Sequence, residues 1–524
     1  MDDAQSTADY YRFCSGEEEI KISNAICRGR RRSHYPNCHA CQFNDDEKGL
    51  AATAAEAVDV NALSPIESVF RPHDICATVP APLSQDVAWR IGHATAQYLR
   101  AKLRGYDRAD PDARSVIVGR DMRTHSPTLQ QALIEGIRAA GLDVLDLGTV
   151  DTPQIYFAVN HTRACGGIQT TGGHEPAEYN GFVICGTKAV PITVETGLAS
   201  IRDLAARVPK HQTGTIAQLK ERDLSQPYAD FVRGFLLAKR TLPRPLKVVV
   251  DAGNGMAGKW LPVVFRGIRK LTIIPMNYKR DGQFQHDPNP VPLKNTREMR
   301  RLVRERKADL GVCFSGDASQ CVFADEKGTT VPADMMITLL AKMFLGREPG
   351  ANVLLDLRAS RAASEEIERA GGLPVLARVG PLFMKKTMSE RKAVFGGDIS
   401  GRFYYRDNFF CESGLLTFAH VLNMMISTSR ALSELVRPIQ RYRSSGERRF
   451  PCPDTDGAVK EISDAHREAD IDNLDGITVR YPDWWFNVRP NRAESLLRVT
   501  LEARTRKLVD QKLSELHSLV GYRD

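Results

Sequence analysis

The 524-residue sequence has no run of about 18 apolar residues, the length that a membrane-spanning helix requires. Its first residues also lack the basic region and apolar segment of a secretory signal. We therefore expect neither membrane spanning nor secretion. Cysteine is sparse as well, because 11 cysteines are scattered over the whole chain. This usage excludes a dense disulfide framework and favours a reducing, cytoplasmic compartment.

What the sequence does contain is the composition of an ordinary globular protein, with 42% hydrophobic and 26% charged residues. Its length exceeds what one hydrophobic core organises and predicts about three to five domains. The net charge of +8 is a modest excess that favours anionic partners. Phosphorylated small molecules satisfy such an excess as well as nucleic acid does.

Three segments share one pattern: an apolar strand, a polar or Gly-rich loop, a helix ending near glycine, and a second apolar strand. The first begins with a strand at residues 116–118, continues in a helix capped by Ser126, and stops at Gly141. The other two begin with strands at residues 247–251 and 353–356. Strands that alternate with helices in this way predict three successive α/β domains. The first helix places four apolar residues on one face: Leu129, Leu133, Ile134 and Ile137.

The tail differs, with strand-like segments at residues 477–481, 484–489 and 496–500 before a helix from about residue 505. This arrangement predicts a smaller C-terminal α+β domain. The predicted boundaries enclose an N-terminal Cys-rich extension with a linker and then four domains: 1–64, 65–220, 221–331, 332–436 and 437–524.

Residues 170–182 read Thr-Thr-Gly-Gly-His-Glu-Pro-Ala-Glu-Tyr-Asn-Gly-Phe. They resemble the active-site loop of the α-D-phosphohexomutases, Thr-Ala-Ser-His-Asn-Pro followed by Tyr-Asn-Gly. The resemblance to bacterial phosphomannomutase and phosphoglucomutase implies three similar α/β domains and a smaller C-terminal one around a central cleft. Four further segments resemble segments of that family in the same order: 119–121, 251–255, 287–290 and 486–489.

The resemblance places Gly173 at the position of the family's reactive serine. Glycine has no side-chain oxygen, so it cannot carry the phosphoryl group that such a serine donates to a sugar phosphate. His174 in the same loop and Arg120 in the Gly-Arg-Asp segment are the retained candidate catalytic residues. Glu175 replaces an asparagine of the family, and we expect its charge to oppose a nearby phosphoryl group.

The family's metal loop, Asp-Gly-Asp-x-Asp-Arg, corresponds to residues 315–320, where Asp317 is the one remaining carboxylate. The resemblance implies Mg²⁺ as the cofactor, and Mg²⁺ can be held by one or two carboxylates together with substrate phosphates. Ser315 and Ser319 replace the other two carboxylates. We therefore expect a degenerate loop without a stable Mg²⁺ site.

Other loops that the resemblance assigns to ligand binding are also altered. The sugar-specificity loop, Gly-Glu-x-Ser-Gly-His in relatives, corresponds to residues 397–402, in which aspartate replaces glutamate and arginine replaces histidine. Pro381 stands where relatives have a histidine and cannot move a proton. The phosphate-binding loop keeps Arg489, and a guanidinium can bind phosphate in a bidentate manner. The predicted ligand-binding residues are Lys385, Asp398, Ser400, Arg402, Arg489, Arg492 and Arg498.

The altered positions are those that would transfer phosphoryl groups, bind metal or move protons, whereas the segments that build the cleft are kept. This selectivity predicts a noncatalytic homologue in carbohydrate metabolism that binds a hexose phosphate or a similar anion. One alternative is an active mutase that interconverts hexose 1- and 6-phosphates with Thr170 or Thr171 as the phosphoryl carrier. Another is a vestigial cleft without a ligand.

The N-terminal extension contains four cysteines, Cys14, Cys27, Cys38 and Cys41. Four thiolates suffice for a tetrahedral Zn²⁺ site, and an iron-sulfur cluster uses the same set. Reduced cysteines in a disordered tail are the third interpretation. The basic residues at 28–32 are compatible with a protein partner, whereas nucleic-acid binding is disfavoured because short basic runs are more often solvated surfaces.

Overall fold

A computed structural model describes residues 11–13, 21–23, 64–71, 74–103, 112–208, 216–238, 240–492 and 494–520. The chain divides into two compact units, 1–64 and 65–524. The described part of the first unit is an antiparallel pair of strands, β1 (Tyr11–Phe13) and β2 (Lys21–Ser23). The four cysteines proposed as metal ligands, Cys14, Cys27, Cys38 and Cys41, lie outside the described residues, so the Zn²⁺ or iron-sulfur site stays a prediction.

The second unit begins with a domain built on one mixed sheet. Its strands are β3 (Ile75–Thr78), β4 (Ser115–Arg120), β5 (Asp143–Thr149), β6 (Gly166–Thr170), β7 (Tyr179–Gly186) and β8 (Leu219–Glu221). Its helices are α1 (Pro65–Val69), α2 (Gln85–Lys102), α3 (Ser126–Ala139), α4 (Thr152–Thr162) and α5 (Ala199–Arg207). The strand order is β3-β7-β6-β4-β5-β8, in which β4 pairs in parallel with β5 and β6.

The second domain has the same central topology. Its strands are β9 (Thr241–Asp251), β10 (Arg269–Met276), β11 (Leu310–Phe314), β12 (Cys321–Ala324) and β13 (Thr330–Val331), in the order β10-β9-β11-β12-β13. Its helices are α6 (Ser225–Gly234), α7 (Ala257–Val264) and α8 (Arg297–Arg306). As β4 does in the first domain, β9 pairs in parallel with two neighbours, β10 and β11. Strand β12 then pairs with β11 in antiparallel orientation.

The third domain repeats this plan. Its strands are β14 (Asn352–Asp356), β15 (Leu373–Ala377), β16 (Phe395–Gly397), β17 (Phe403–Tyr405) and β18 (Cys411–Glu412), in the order β15-β14-β16-β17-β18. Its helices are α9 (Ala333–Leu345), α10 (Arg361–Arg369), α11 (Pro381–Arg391), α12 (Gly414–Thr428) and α13 (Leu432–Val436). The prediction of three similar α/β domains is therefore confirmed.

The C-terminal domain is an antiparallel sheet with two helices, as predicted. Its strands are β19 (Arg443–Pro451), β20 (Asp470–Asp472), β21 (Ile477–Arg480), β22 (Trp484–Asn491) and β23 (Leu496–Ala503), in the order β19-β23-β22-β21-β20. Its helices are α14 (Thr455–Ala465) and α15 (Arg506–Val520). In β22, Trp484, Phe486 and Val488 enter the domain core. Because side chains alternate along a strand, Arg489 lies on the opposite face of the sheet.

The predicted apolar face of α3 is buried, whereas the predicted role of Ser126 is wrong. All four predicted core residues of α3 are at most 1% exposed. Ser126 does not cap the helix, because it is the first helical residue and its hydroxyl donates to the buried carboxylate of Asp121. A buried carboxylate needs donors, and this requirement outweighs the capping preference. None of the described helices has the length and apolarity needed to cross a bilayer.

Helix α12 carries a buried histidine in the core shared by the second and third domains. The ring of His420 lies 5.0 Å from the rings of Phe344 and Tyr405, and both ring nitrogens are buried without a hydrogen-bond partner among the described residues. Burial, with a further contribution from the charge of Arg347, lowers the pKa of His420 to about 3. The folded protein therefore holds this ring neutral.

We expect His420 to make the fold acid-sensitive. Its stabilising contribution is fully present above the unfolded-state pKa of about 6.5 and is lost as pH falls from there towards 3. Between pH 7 and pH 5 the natural chain should lose about 2 kcal/mol more unfolding free energy than a His420→Phe variant. Denaturant unfolding at both pH values, with His161→Gln as an exposed control, measures this difference. Equal pH dependence of the natural chain and His420→Phe would contradict the assignment.

Candidate functional site

Three loops from three domains meet at one place. A Cβ atom on Gly316 would lie 2.8 Å from the carbonyl oxygen of Gly173, so the first and second loops are in contact. Gln320 Nε2 lies 3.2 Å from Ser400 Oγ, and this hydrogen bond joins the second loop to the third. We call residues 171–175, 315–320 and 398–402 the central loops. They are the segments that correspond to the serine, metal and sugar loops.

Arg123 fixes the backbone of the first central loop. This arginine is 1% exposed, and its guanidinium donates to the carbonyl oxygens of Gly173 at 3.3 Å, Glu175 at 2.6 Å and Tyr179 at 3.0 Å. Its Nε also pairs with Asp121 at 3.2 Å. The sequence analysis did not assign Arg123 to the site. Its position two residues after Asp121 was the signal available.

Gly173 has space for a side chain but an unfavourable backbone conformation for one. Apart from Gly173 itself and its two chain neighbours, none of the described residues has an atom within 4 Å of the place where a Cβ would be, and φ is +57°. The adjacent hydroxyl of Thr171 donates to Asp121 at 2.7 Å and accepts from the Gly173 amide at 2.9 Å. Thr170 is fully buried, and its hydroxyl oxygen has no partner among the described residues. The loop is therefore held by the Thr171 hydroxyl, and both threonine side chains are buried.

Asp317 is buried and already satisfied by protein donors. Its carboxylate accepts hydrogen bonds from the hydroxyls of Thr152 at 2.6 Å, Ser315 at 2.9 Å and Ser319 at 2.7 Å, and from the Ser319 amide at 3.1 Å. Burial alone would raise the pKa of Asp317, but the hydrogen bonds from Thr152 and Ser319 and the charge of Arg402 hold it below its usual value. The carboxylate is therefore ionised and fully engaged.

These residues do not fit the Mg²⁺ that the family implies. Mg²⁺ demands near-octahedral oxygen ligands, and dedicated sites supply carboxylates. Here both oxygens of Asp317 accept hydrogen bonds, and Ser315 and Ser319 direct their protons at that carboxylate.

A second set of ligand-type side chains lies in the second domain and was not predicted. Atoms of Asp251, His286 and Cys313 lie within 4.8 Å of one another. His286 Nε2 is 3.0 Å from Asp251 Oδ2, and its Nδ1 is 2.8 Å from the carbonyl oxygen of Asp287. Burial raises the pKa of the Cys313 thiol well above its usual value, which disfavours the thiolate that a metal needs. Asp251 and His286 are therefore joined by a hydrogen bond beside a buried thiol.

The third central loop turns its polar groups towards one another. Asp398 is 3% exposed and accepts from the Ser400 amide at 2.9 Å, the Ser400 hydroxyl and the Tyr404 hydroxyl at 2.9 Å. Arg402 Nη1 donates to Ser400 Oγ at 3.0 Å. Burial raises the pKa of Asp398, and the charge of Arg402 opposes that effect. Asp398, Ser400 and Arg402 are thus brought together within one loop.

Lys385 forms a buried ion pair beneath the first domain. Its Nζ lies 2.8 Å from Glu412 Oε2, and both side chains are 5% exposed. The same Nζ lies 4.0 Å from the ring centre of Tyr156, whose hydroxyl donates to Glu412 at 3.2 Å. Burial works against the charge of Lys385, but Glu412 keeps its pKa above the usual value. The lysine therefore stays protonated and joins α4 to the third domain.

Three guanidinium groups converge on Glu447 at the boundary of the third and fourth domains. Arg358 and Arg498 approach its carboxylate at 3.0 and 3.6 Å, and Arg489 forms a closer ion pair with it. We call Arg358, Arg489 and Arg498 the arginine cluster. Arg489 Nε is buried and has no hydrogen-bond partner among the described residues. Arg358 was missed because nothing in the sequence relates it to β19 or β22.

Arg492 and Arg120 form their described side-chain contacts outside the central loops, and their assignment to the site stays a prediction. Arg492 is 72% exposed and pairs with Asp456 at 2.8 Å, away from the arginine cluster. Arg120 forms its hydrogen bond with Gln130 on α3. Neither contact joins these arginines to the central loops.

His174 and Glu175 lie in the first central loop, but the expected effect of Glu175 is modified. Burial, followed by the charge of Arg402, lowers the pKa of His174 to about 4, so the ring is neutral at pH 7. Glu175 pairs with Arg71 at 2.6 Å, and the guanidinium of Arg71 also lies 5.6 Å from the ring centre of Tyr179. The carboxylate that was expected to oppose a phosphoryl group is therefore balanced by an arginine.

Comparison with known proteins relates this geometry to one family. Residues 67–211, 226–328 and 332–442 match the alpha/beta/alpha domains I, II and III of phosphoglucomutase/phosphomannomutase. A protein of Xanthomonas campestris named "Phosphohexose mutases" is 33% identical over 457 residues, which cover 86% of this chain and 98% of the relative. A phosphomannomutase of Escherichia coli K12 is 33% identical over 448 residues, 83% of this chain and 94% of the relative.

Solved structures agree. A phosphoglucomutase/phosphomannomutase family protein from Burkholderia thailandensis superposes with a TM-score of 0.78 at 26% identity, covering 86% of this chain and 97% of that one. A phosphomannomutase-like structure from Thermus thermophilus has a TM-score of 0.72 at 21% identity and covers 86% and 99%, which supports the fold alone. The chain therefore belongs to the phosphoglucomutase/phosphomannomutase family of the α-D-phosphohexomutase superfamily.

Proposed function

We propose that this protein is a noncatalytic phosphohexomutase homologue that binds a hexose phosphate or a similar anion in its cleft. The observation that carries the proposal is the chemistry of the central loops. Gly173 offers no oxygen for a phosphoryl group, and Asp317 already accepts hydrogen bonds from Thr152, Ser315 and Ser319. Phosphoryl transfer needs a carrier and a cation that offsets developing charge. The central loops contain no phosphoryl carrier, and they do not fit the metal ion that relatives use.

The hydroxyls beside Gly173 are poor substitutes for the missing serine. Thr171 is 3% exposed and donates its proton to Asp121. Thr170 is fully buried at the end of β6. Either hydroxyl would have to leave its buried position to reach a sugar phosphate, and for Thr171 that costs a hydrogen bond to a buried carboxylate. This counts against the alternative of an active mutase.

The arginine cluster supports anion binding. The unpartnered Nε of Arg489 is a buried donor, and a buried donor without an acceptor costs free energy. Arg498 is 31% exposed and makes longer contacts, at 3.6 and 3.4 Å, so its guanidinium can turn to a phosphate oxygen. Guanidinium groups match phosphate in shape and charge. We propose the sugar contacts at Asp398, Ser400 and Lys385.

The environment of the cysteines supports the reducing, cytoplasmic compartment that we propose. The cysteines in the described residues are all free and buried: Cys76, Cys165, Cys185, Cys313, Cys321, Cys411 and Cys452. Burial raises the pKa of Cys165 and Cys185 to about 12, which keeps both thiols protonated and unreactive.

The natural chain should show no mutase activity. With glucose 1-phosphate or mannose 1-phosphate, Mg²⁺ and a hexose 1,6-bisphosphate, we expect a rate at least about 10³-fold below that of Escherichia coli phosphomannomutase, because no phosphoryl carrier is available. A coupled assay for the 6-phosphate measures this, with the Escherichia coli enzyme as positive control. Mass spectrometry after incubation with the bisphosphate should find no phosphothreonine at Thr170 or Thr171. Turnover would contradict the noncatalytic proposal, and phosphothreonine at either position would identify the phosphoryl carrier.

A Gly173→Ser variant should fold and remain inactive. There is room for the side chain, and the positive φ costs a non-glycine residue about 1 kcal/mol. Turnover should stay at background because Ser315 and Ser319 still replace the metal carboxylates. Denaturant unfolding and the coupled assay together measure both outcomes. Activity gained by this single change would mean that the remaining groups are catalytically competent.

Hexose phosphates should bind through the arginine cluster. At 100 times its dissociation constant, glucose 1-phosphate or mannose 1-phosphate should stabilise the natural chain by about 2.7 kcal/mol in a thermal unfolding assay. Arg498→Gln should weaken affinity by about tenfold or more, since a charge-assisted hydrogen bond is lost. Arg504→Gln, at an exposed site in the same domain where Arg504 pairs with Asp483 at 3.0 Å, is the matched control and should bind normally. If neither sugar phosphate stabilises the natural chain, the binding part of the proposal fails and the cleft is vestigial.

A further inference from the structure

Arg402 lies where the sugar loop meets the degenerate metal loop. Its Nη1 donates to Ser400 Oγ at 3.0 Å, and the same oxygen accepts from Gln320 Nε2 at 3.2 Å. The backbone tightens this junction, because the amide of Cys321 donates to the carbonyl oxygen of Gly401 at 2.9 Å. The guanidinium of Arg402 is therefore tied, through one shared hydroxyl, to the loop that contains Asp317.

Carboxylates surround this guanidinium without forming a close pair with it. Among the described residues, its one side-chain hydrogen bond is the bond to Ser400. Burial opposes the charge of Arg402, but nearby acidic groups outweigh burial and raise its pKa. These groups are Asp398, Tyr404, Glu412 and Asp317. Glu412 is neutralised by Lys385, so Asp398 and Asp317 are left as the carboxylates that Arg402 balances.

We propose that the guanidinium of Arg402 takes the place of the divalent cation, as a permanent counter-charge for Asp317 and Asp398. The proposal rests on the noncatalytic function proposed above and explains how the centre is completed without metal. Relative to the family loops, the chain has two fewer carboxylates, at Ser315 and Ser319, and its arginine lies in the sugar loop, at Arg402, instead of at the position of Gln320. Arginine cannot be deprotonated in proteins, so this charge is always present and would repel an entering Mg²⁺ ion.

Restoring the metal carboxylates separates the effect of Arg402 from that of the missing ligands. We would compare Ser315→Asp/Ser319→Asp with the same double variant that also carries Arg402→His, the residue of relatives. Mg²⁺ and Mn²⁺ binding is measured by calorimetry and by thermal unfolding in EDTA and in excess metal. The variant with Arg402→His should bind Mg²⁺ at least about tenfold more tightly, because a fixed positive charge has been removed from the site.

Two further variants in the same double background act as controls. Arg402→Lys keeps the positive charge and should leave Mg²⁺ binding as weak as in the double variant. Arg406→His removes the same charge at a surface site, where Arg406 pairs with Glu348 at 2.8 Å, and should also produce no gain. Circular dichroism establishes that each variant is folded before its metal binding is compared.

The natural chain supplies a test that needs no substitution. Its melting temperature should be the same in EDTA and in excess Mg²⁺. A Mg²⁺-dependent rise in that temperature overturns the proposal, and so does equal Mg²⁺ affinity of the double variant with and without Arg402→His. Failure of the noncatalytic proposal is a separate result, because it is detected as turnover in the coupled assay rather than as metal binding.

Discussion

The centre of this molecule depends on how one buried carboxylate, that of Asp317, is compensated. A charge removed from water must be hydrogen-bonded or paired, and a metal ion is one way to achieve this. Here hydroxyl groups donate hydrogen bonds to the carboxylate, and the charge of Arg402 adds to this compensation. One of the hydroxyls, that of Thr152, belongs to another domain. The Thr152 amide also donates to the Asp317 carbonyl oxygen at 3.3 Å. The same contacts that stabilise the charge therefore fix the first domain against the second.

In this chain the fold of the family is retained, whereas the loop residues associated with its reaction are replaced. Three domains repeat one sheet topology, and each contributes one of the central loops where its strands end. The sheets depend on apolar strands such as β9, whose Val248, Val249 and Val250 are fully buried. Those positions are independent of the loop residues that determine reactivity. A chain can thus retain the architecture of its relatives while its loop side chains satisfy one another.

The fold class could be predicted from the sequence, and so could the segments that form the central loops. Both depend on local sequence patterns and on the order of short motifs along the chain. The sequence analysis did not recover contacts between distant segments. The pairing of Glu175 with Arg71 and the approach of Arg358 to Glu447 depend on tertiary structure. Arg492 was assigned by adjacency to Arg489, but a β-strand and its turn send neighbouring side chains in different directions.

The buried pair of Lys385 and Glu412 has a mechanical consequence. The ring of Tyr156, from the first domain, covers this ion pair, and its hydroxyl donates to Glu412. If the first domain moved away from the third, the ion pair would become exposed to water and would lose this hydrogen bond. The fourth domain meets the third through polar contacts, such as Arg361 with the carbonyl oxygens of Tyr481 and Pro482, both at 2.7 Å. Buried charges lie at this boundary too, since Arg358 and Glu447 pair there with side chains that are 11% and 23% exposed. Moving the first domain would therefore expose one buried ion pair to water, and moving the fourth domain would break another.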